Sequence, residues 1–350
     1  MTRVIHIIII ATIFIAGAAI AVSAWFLTTE WRPEPIEVTR YPTSAQPSQI
    51  NLSDTLEVVS WNIGYAGLGE GMDFFYDGGK QMRCSEAETR ENLNKIIAQL
   101  NIFAKSADFI LLQEVDENSH RSYSINMREA IAEALPEFTH AWAYNYRANY
   151  IPMPLGDPMG RVNSGVMILS RHTISRSVRH QYPNHLTFPR RLFLLKRAML
   201  SAEIRTADDR ILWLNNTHNS AFDDGEGRRS EVKRICEIIE GQPLSITAGD
   251  WNSTPPHYSA SEAALNNRFF HPIALNKEDL PNGLSFATDL STPTMRYLDK
   301  PYRATSSTVC NIDFGVVSNH LRIINCTVVD LQFKNSDHNP IIFWVNSADI

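Results

Sequence analysis

The stretch Leu244-Ser245-Ile246-Thr247-Ala248-Gly249-Asp250-Trp251-Asn252-Ser253-Thr254-Pro255 constrains this chain more than any other. Its opening residues carry no charge and include β-branched side chains, the mark of a buried strand. Gly249 and Pro255 bracket a sharp exit from that strand. Asp250 and Asn252 alternate with Trp251, so an extended backbone would point both to one side. A carboxylate and a carboxamide so placed can take a proton from water and donate to a phosphoryl oxygen. The plain alternative is an Asx-type turn closing the strand.

The same pattern recurs along the chain from residue 54. Leu56-Glu57-Val58-Val59-Ser60-Trp61 reads as a strand ending at Asn62, followed by a loop too glycine-rich for regular structure. Leu93, Ile96, Ile97, Leu100 and Phe103 recur at helical spacing. The strand Phe109-Ile110-Leu111-Leu112-Gln113 then delivers Glu114 at its end, where open α/β sheets place functional groups. Further strands are expected over 165–169, 198–204, 211–216, 312–317, 327–333 and 341–345, with a helix marked by Val232, Ile235, Ile238 and Ile239. So many strands, mixed with helices, predict two sheets packed face to face with helices outside.

The amino-terminal segment is of another kind. Residues 4–27 are almost unbroken apolar sequence, long enough to span a bilayer and longer than the usual core of a signal peptide. We read residues 1–29 as an uncleaved anchor; Val22-Ser23-Ala24 could serve as a cleavage site, so a removed signal and a secreted protein is the alternative. Arg3 and the amino terminus are the charges before the span, which puts the N-terminus inside and the remainder outside the cytoplasm. Residues 30–53, rich in Pro, Ser and Thr, read as a linker, and 54–350 as one catalytic domain. The formal charge of −6 argues against tight non-specific nucleic-acid binding, which runs on phosphate neutralisation. Cys84, Cys236, Cys310 and Cys326 lack zinc-site spacing and are expected to be free thiols, with a Cys310–Cys326 pair as the alternative outside the cytoplasm.

Polar residues collect where strands end: Asn62, Glu114, His218 with Asn219, Asp250 with Asn252, Asp313, and Asp337 with His338. Singly each is an ordinary turn residue. Together, Trp61-Asn62, Gln113-Glu114-Val115, Thr217-His218-Asn219, Gly249-Asp250-Trp251-Asn252, Ile312-Asp313-Phe314 and Ser336-Asp337-His338-Asn339-Pro340 stand in the order found in the endonuclease/exonuclease/phosphatase superfamily, which the chain resembles over roughly residues 55–346. Residues 164–171 also resemble that family's central strand, and residues 64–79, 191–197 and 222–228 look like a membrane-anchored bacterial branch.

The resemblance implies a deoxyribonuclease I-like, four-layer α/β sandwich and metal-dependent cleavage of a phosphodiester or phosphomonoester. It implies a metal held by Glu114, Asn62 and Asp337, with Mg²⁺ suited to hard oxygen ligands and Mn²⁺ as an alternative. Asp250 would orient or deprotonate the attacking water, and Asn252 would donate to phosphoryl oxygens. Asp313 would fix one tautomer of His338, and His218 would contact the phosphate or protonate the leaving oxygen. Asn219, Arg197, Tyr144 and Asn145 are the candidate substrate contacts. Nucleic acid, phospholipid and inositol phosphate all stay open as substrates, and no protein partner is evident. A membrane-tethered binding module of the same fold without catalysis is the rival.

Two stretches carry separate expectations. Residues 171–197 hold seven Lys and Arg side chains and no Asp or Glu, a surface that could steer a polyanion or anionic headgroups. The loop 64–83 combines glycines with Met72, Phe74, Phe75 and Tyr76, too apolar for an idle solvent loop. It is expected to fold over the cleft.

Overall fold

Two pairs of parallel strands set the architecture. The computed structural model describes residues 2–39, 49–183, 186–221 and 225–348. In chain order the strands are β1 (Ile36–Val38), β2 (Leu56–Asn62), β3 (Phe109–Asp116), β4 (Thr139–Ile151), β5 (Gly160–Ser170), β6 (Ile174–Gln181), β7 (Ala198–Arg205), β8 (Ile211–His218), β9 (Ser245–Asp250), β10 (Ser253–Thr254), β11 (Ile273–Ala274), β12 (Ser285–Ala287), β13 (Met295–Arg296), β14 (Val309–Cys310), β15 (Asp313–Val317), β16 (Leu321–Val328) and β17 (Ile341–Ser347). The helices are α1 (Thr2–Thr28), α2 (Glu86–Phe103), α3 (Met127–Ala134), α4 (Glu226–Ile239) and α5 (Glu262–Leu265).

A six-stranded sheet runs β16-β17-β2-β3-β5-β4 and a seven-stranded sheet β1-β6-β7-β8-β9-β15-β12. Each has one parallel pair at its centre, β2 with β3 and β8 with β9, and antiparallel neighbours around it. A parallel pair needs a long crossover, and α2 and α4 supply the two. Ser85 caps α2 by accepting from the Glu88 N–H, and Leu93, Ile96, Leu100 and Phe103 form the buried stripe that covers the six-stranded sheet. Val232, Ile235 and Ile239 do the same for α4 on the other sheet.

Between the sheets lies an apolar layer of Val58, Leu111, Val166 and Ile168 facing Leu200, Leu214, Ile246 and Ala248. The four-layer α/β sandwich expected from the motifs is the observed fold. Gly249 is obligatory within it, because a Cβ there would stand 2.0 Å from the Thr217 carbonyl oxygen across the β8–β9 pairing. The four cysteines are free.

Some local expectations change. Residues 36–38, inside the stretch read as a linker, add an edge strand against β6, and Ile50 pairs with Thr206. Residues 40–48 of that stretch lie outside the described residues, as do residues 222–224 of the 222–228 motif. The strand expected over 327–333 is instead β16, which stops at Val328; farther on, Gln332 and Phe333 adopt left-handed backbone (φ 57° and 53°), which is incompatible with a strand there. Two long strands, β4 and β6, form where none was expected.

Trp251 shows how the exit from β9 is held. It is fully buried, lies flat on Phe314 with ring centroids 4.9 Å apart, and donates from Nε1 to the Phe314 carbonyl. Trp251→Ala should therefore lower the unfolding free energy by about 3–5 kcal/mol, measured by denaturant titration in detergent.

Candidate active site

The parallel pairs place their carboxyl ends at one edge of the sandwich, and the polar motifs sit there. Asn62 ends β2, His218 ends β8 and Asp250 ends β9. Asp313 opens β15 directly opposite Asp250, and Asp337 and His338 precede β17. Glu114 lies within β3 at an irregularity of the β3–β5 pairing and takes a positive φ of 55°. A non-glycine residue there is strained by about 1–2 kcal/mol.

Asp250 is the hub. Its Oδ1 accepts from the Asn252 N–H at 2.9 Å and its Oδ2 from Asn62 Nδ2 at 3.0 Å. His218 Nε2 stands 3.4 Å and His338 Nε2 3.8 Å from the same Oδ2. Each imidazole is held from behind by a different partner: His338 Nδ1 is 2.8 Å from Asp313 Oδ2, and His218 Nδ1 is 2.9 Å from an Arg197 N–H.

Those partners give the two histidines different charge, one cationic and one neutral. For His338, burial opposes protonation, but Asp313, Asp337 and Asp250 outweigh it and push the pKa up to about 10. For His218, burial and the Arg197 cation act together and hold the pKa well below the ordinary value. Nδ1 of His218 accepts from Arg197, so the neutral ring carries its proton on Nε2, facing Asp250. Burial also pushes the Asp250 carboxyl up to about 7, against the pull of His338.

A cavity of about 450 Å³ opens on this cluster. Six polar atoms of its lining are buried and have no protein hydrogen-bond partner: Tyr65 Oη, Glu114 Oε2, Asn145 Nδ2, Ser164 Oγ, Arg197 Nε and Arg296 Nε. Five can donate, as an anion requires, and one is a carboxylate oxygen suited to a cation. Asp337 points to the same need: burial and the nearby Glu114 push its carboxyl up to about 6, with His338 opposing. A Cβ on Gly64 would stand 2.7 Å from Asp337 Oδ1, so the glycine gives that carboxylate its space. A divalent cation with oxygen preference fits Glu114 and Asp337. Asn62 stands behind them, with Oδ1 accepting from the Gly64 N–H. Ligand atoms of Asp250, Asp313 and His338 also fall within 4.8 Å of one another, but the Asp313–His338 hydrogen bond already occupies two of them.

Most of the site residues read from the sequence are brought together here. Asn252 reaches the cavity by a different route from the one expected: β9 stops at Asp250, Asn252 turns into left-handed backbone (φ 49°), and its Nδ2 donates to the Asn219 carbonyl. Asn219 is buried beside the cavity, accepting from Thr217 Oγ1, with Nδ2 unpartnered. Tyr144 stands apart. Along β4 it projects opposite to Asn145, donates to Glu117 at 2.6 Å and is absent from the cavity wall.

The basic stretch 171–197 forms no single surface. Arg176 pairs with Glu203, Arg179 with Glu37 and Lys196 with Glu30, while Arg197 is inside the site. The 64–83 loop does reach the cavity, through Leu68, Phe74, Tyr76 and Asp77.

Two arginines escaped the sequence reading. Arg121 is buried, bidentate to Asp116 at 2.9 and 3.0 Å, stacked over Tyr65 at 3.6 Å, and 3.9 Å from Glu114 Oε2. Arg296 is buried and donates to the carbonyls of Leu68, Gly69 and Met72 at 3.2, 2.6 and 3.1 Å, fastening the glycine-rich loop. Nothing in the spacing of either arginine marks it, because both find their partners only through the fold.

A family model described as the Endonuclease/Exonuclease/phosphatase family matches residues 59–338. The chain belongs to this family. Every strand-end residue named above lies within the matched span. Among solved structures, an endonuclease/exonuclease/phosphatase from Beutenbergia cavernae DSM 12333 is similar, with TM-score 0.59 and 16% identity over 84% of this chain and 72% of that one. The family protein from Bacteroides vulgatus gives TM-score 0.51 and 16% identity over 84% and 99%. ANGEL2, described as a 2',3'-cyclic phosphatase, gives 0.53 and 13% over 88% and 98%. At such identities the likeness is one of fold. No curated protein matches by sequence.

Within this family fold the Arg296 contacts predict a local effect. Arg296→Met removes charge-assisted hydrogen bonds worth about 1.5–3 kcal/mol each. The loop should then open, and tryptic cleavage at Lys80 or Arg83 should accelerate at least ~10-fold, followed by limited proteolysis.

Proposed function

We propose that the chain is a divalent-metal-dependent phosphoesterase held at a membrane by α1. The observation that carries this reading is a pair of adjoining arrangements at one cavity end: the Asp250, Asp313 and His338 cluster, and Glu114, whose Oε2 has no hydrogen-bond partner, with Asp337, whose Oδ2 lies 4.0 Å from His338 Nε2. The membrane part rests on α1, whose most apolar 18-residue window has a mean hydropathy of 2.7 and no buried residue. A signal sequence would pass the same test of length and composition.

Glu114 and Asp337, with Asn62 behind them, would hold Mg²⁺ or Mn²⁺, which supplies positive charge to the phosphoryl oxygens. The remaining steps belong to the side chains. Arg197, Asn145 and Ser164 bind the phosphoryl group through the donors that lack a protein partner. Asp250, fixed by Asn62 and the Asn252 N–H, aligns a water and takes its proton as the water oxygen bonds to phosphorus. The ester oxygen leaves as an alcohol with the proton supplied by Nε2 of His338, whose charge Asp313 maintains. His218, neutral and braced by Arg197, keeps the Asp250 carboxylate turned toward the water. Asn219 supports Asn252 through its carbonyl.

The full chain in detergent should hydrolyse bis(4-nitrophenyl) phosphate in the presence of Mg²⁺. Chelation should abolish turnover and added Mg²⁺ or Mn²⁺ restore it. Glu114→Gln and Asp313→Asn should each lower kcat by about 10²–10⁴ while the melting temperature changes little. Undiminished turnover after chelation and in both variants would refute the assignment. Phosphate binding with no turnover of any phosphoester would instead favour the tethered binding module.

A further inference from the structure

We infer that the substrate is a phosphoester bearing an alkyl or acyl chain, delivered from the bilayer that holds α1; this rests on the phosphoesterase reading above. The reacting groups come from strand ends, but much of the rest of the cavity wall does not. Besides Phe270 and residues 295–298, it includes Phe74 and Tyr76 from the 64–83 loop, Ile151 at the end of β4 with Met153 from the β4–β5 connection, and Phe193 and Leu195 from the segment before β7. Against those apolar side chains a base or a polyol would lose hydrogen bonds to water that they cannot replace. A hydrocarbon chain loses nothing there.

The segment before β7, together with β4, also holds the end of α1. Phe26 of the helix meets Phe193 edge-to-face, with ring centroids 5.0 Å apart. Asn149 donates to the Thr29 carbonyl at 2.7 Å, and Glu30 pairs with Lys196 at 3.1 Å and with Arg191 at 3.6 Å. Trp31 packs edge-on to Tyr144. The anchor is thus seated on the cavity wall, with no free tether between them.

Their outer surfaces are apolar as well. Leu155 is 83% exposed, Phe188 60% and Met153 43%. Facing water these side chains are a liability; against the bilayer that holds α1 they would be covered. Tyr76 donates to the Met153 carbonyl at 3.0 Å and Arg83 pairs with Asp157 at 2.8 Å, so loop and hairpin share one rim. A chain can pass from the bilayer to the cavity along that rim without crossing water.

The test uses two soluble diesters with one leaving group, ethyl and hexyl 4-nitrophenyl phosphate. Burying the four additional methylenes should raise kcat/KM on the order of 100-fold for the hexyl ester, and Met153→Asn should remove most of that gain. With the full chain in phosphatidylcholine vesicles and hexadecyl 4-nitrophenyl phosphate in the same bilayer, Leu155→Asp should cut the rate at least ~10-fold while ethyl ester turnover is retained. Equal kcat/KM for ethyl and hexyl esters, or faster cleavage of a single-stranded DNA oligonucleotide than of either, would overturn the inference and leave the phosphoesterase reading standing. An unchanged vesicle rate in Leu155→Asp would overturn delivery along this rim. Turnover of neither ester would overturn both readings.

Discussion

A buried hydrogen-bond clip between the two sheets fixes everything downstream of it. Gln113 of β3 donates to Asn216 Oδ1 at 2.7 Å, and Asn216 of β8 donates to the carbonyls of Leu112 and Met167, each at 2.9 Å. Those carbonyls flank the place where β3 and β5 lose register. An apolar interface is non-directional and tolerates sliding, whereas buried amides with named partners do not. The clip holds Gln113 and Asn216 face to face, and Glu114 and His218 follow within two residues of it. His218 Nε2 and Glu114 Oε1 end 3.8 Å apart, although they belong to different sheets.

On that frame the site divides charge with little protein charge to spare. Carboxylates outnumber cations at the cavity end, and the fold answers with two positive groups placed behind the reacting atoms. Arg197 braces His218 and keeps it neutral; Arg121, neutralised by Asp116, lies near Glu114 without closing on it. Had either arginine paired fully with Glu114, the carboxylate would have no affinity left for a cation. The incomplete pairing of a half-buried carboxylate costs stability, and the positive φ at Glu114 adds to that cost. Strain of this kind gathers at functional sites, where the rest of the fold over-determines it.

The family fold also explains how a site at one edge of a sandwich can be adapted to a surface. The sheets and the strand-end residues leave the cavity walls to loops, here the 64–83 loop, the β4–β5 connection and the segment before β7. In this chain all three put apolar side chains on the cavity wall, and the segment before β7, together with β4, meets the end of α1. The edge strand Ile36–Val38 and the Glu30 ion pairs make the region after the helix part of the domain.

The sequence by itself marked most of the strands, the two crossover helices, the amino-terminal apolar span and the polar residues at the strand ends. Asn62, Glu114, His218, Asp250, Asp313 and His338 were legible because each interrupts an apolar run at a strand end, a local signal that needs no knowledge of partners. The tertiary structure alone decided which of these groups touch, which histidine carries charge, and that Tyr144 turns away while Asn145 turns in. Arg121 and Arg296 were invisible for the same reason: Arg296 sits more than 220 residues from the carbonyls it binds. The strand β4 was missed because its aromatic and polar residues alternate without a pure apolar run. The 30–53 stretch misled because proline and serine content reports local stiffness and polarity, whereas pairing with β6 is a long-range event. Period and composition act over a few residues; charge state, partner choice and strain depend on distances that only the packed sheets create.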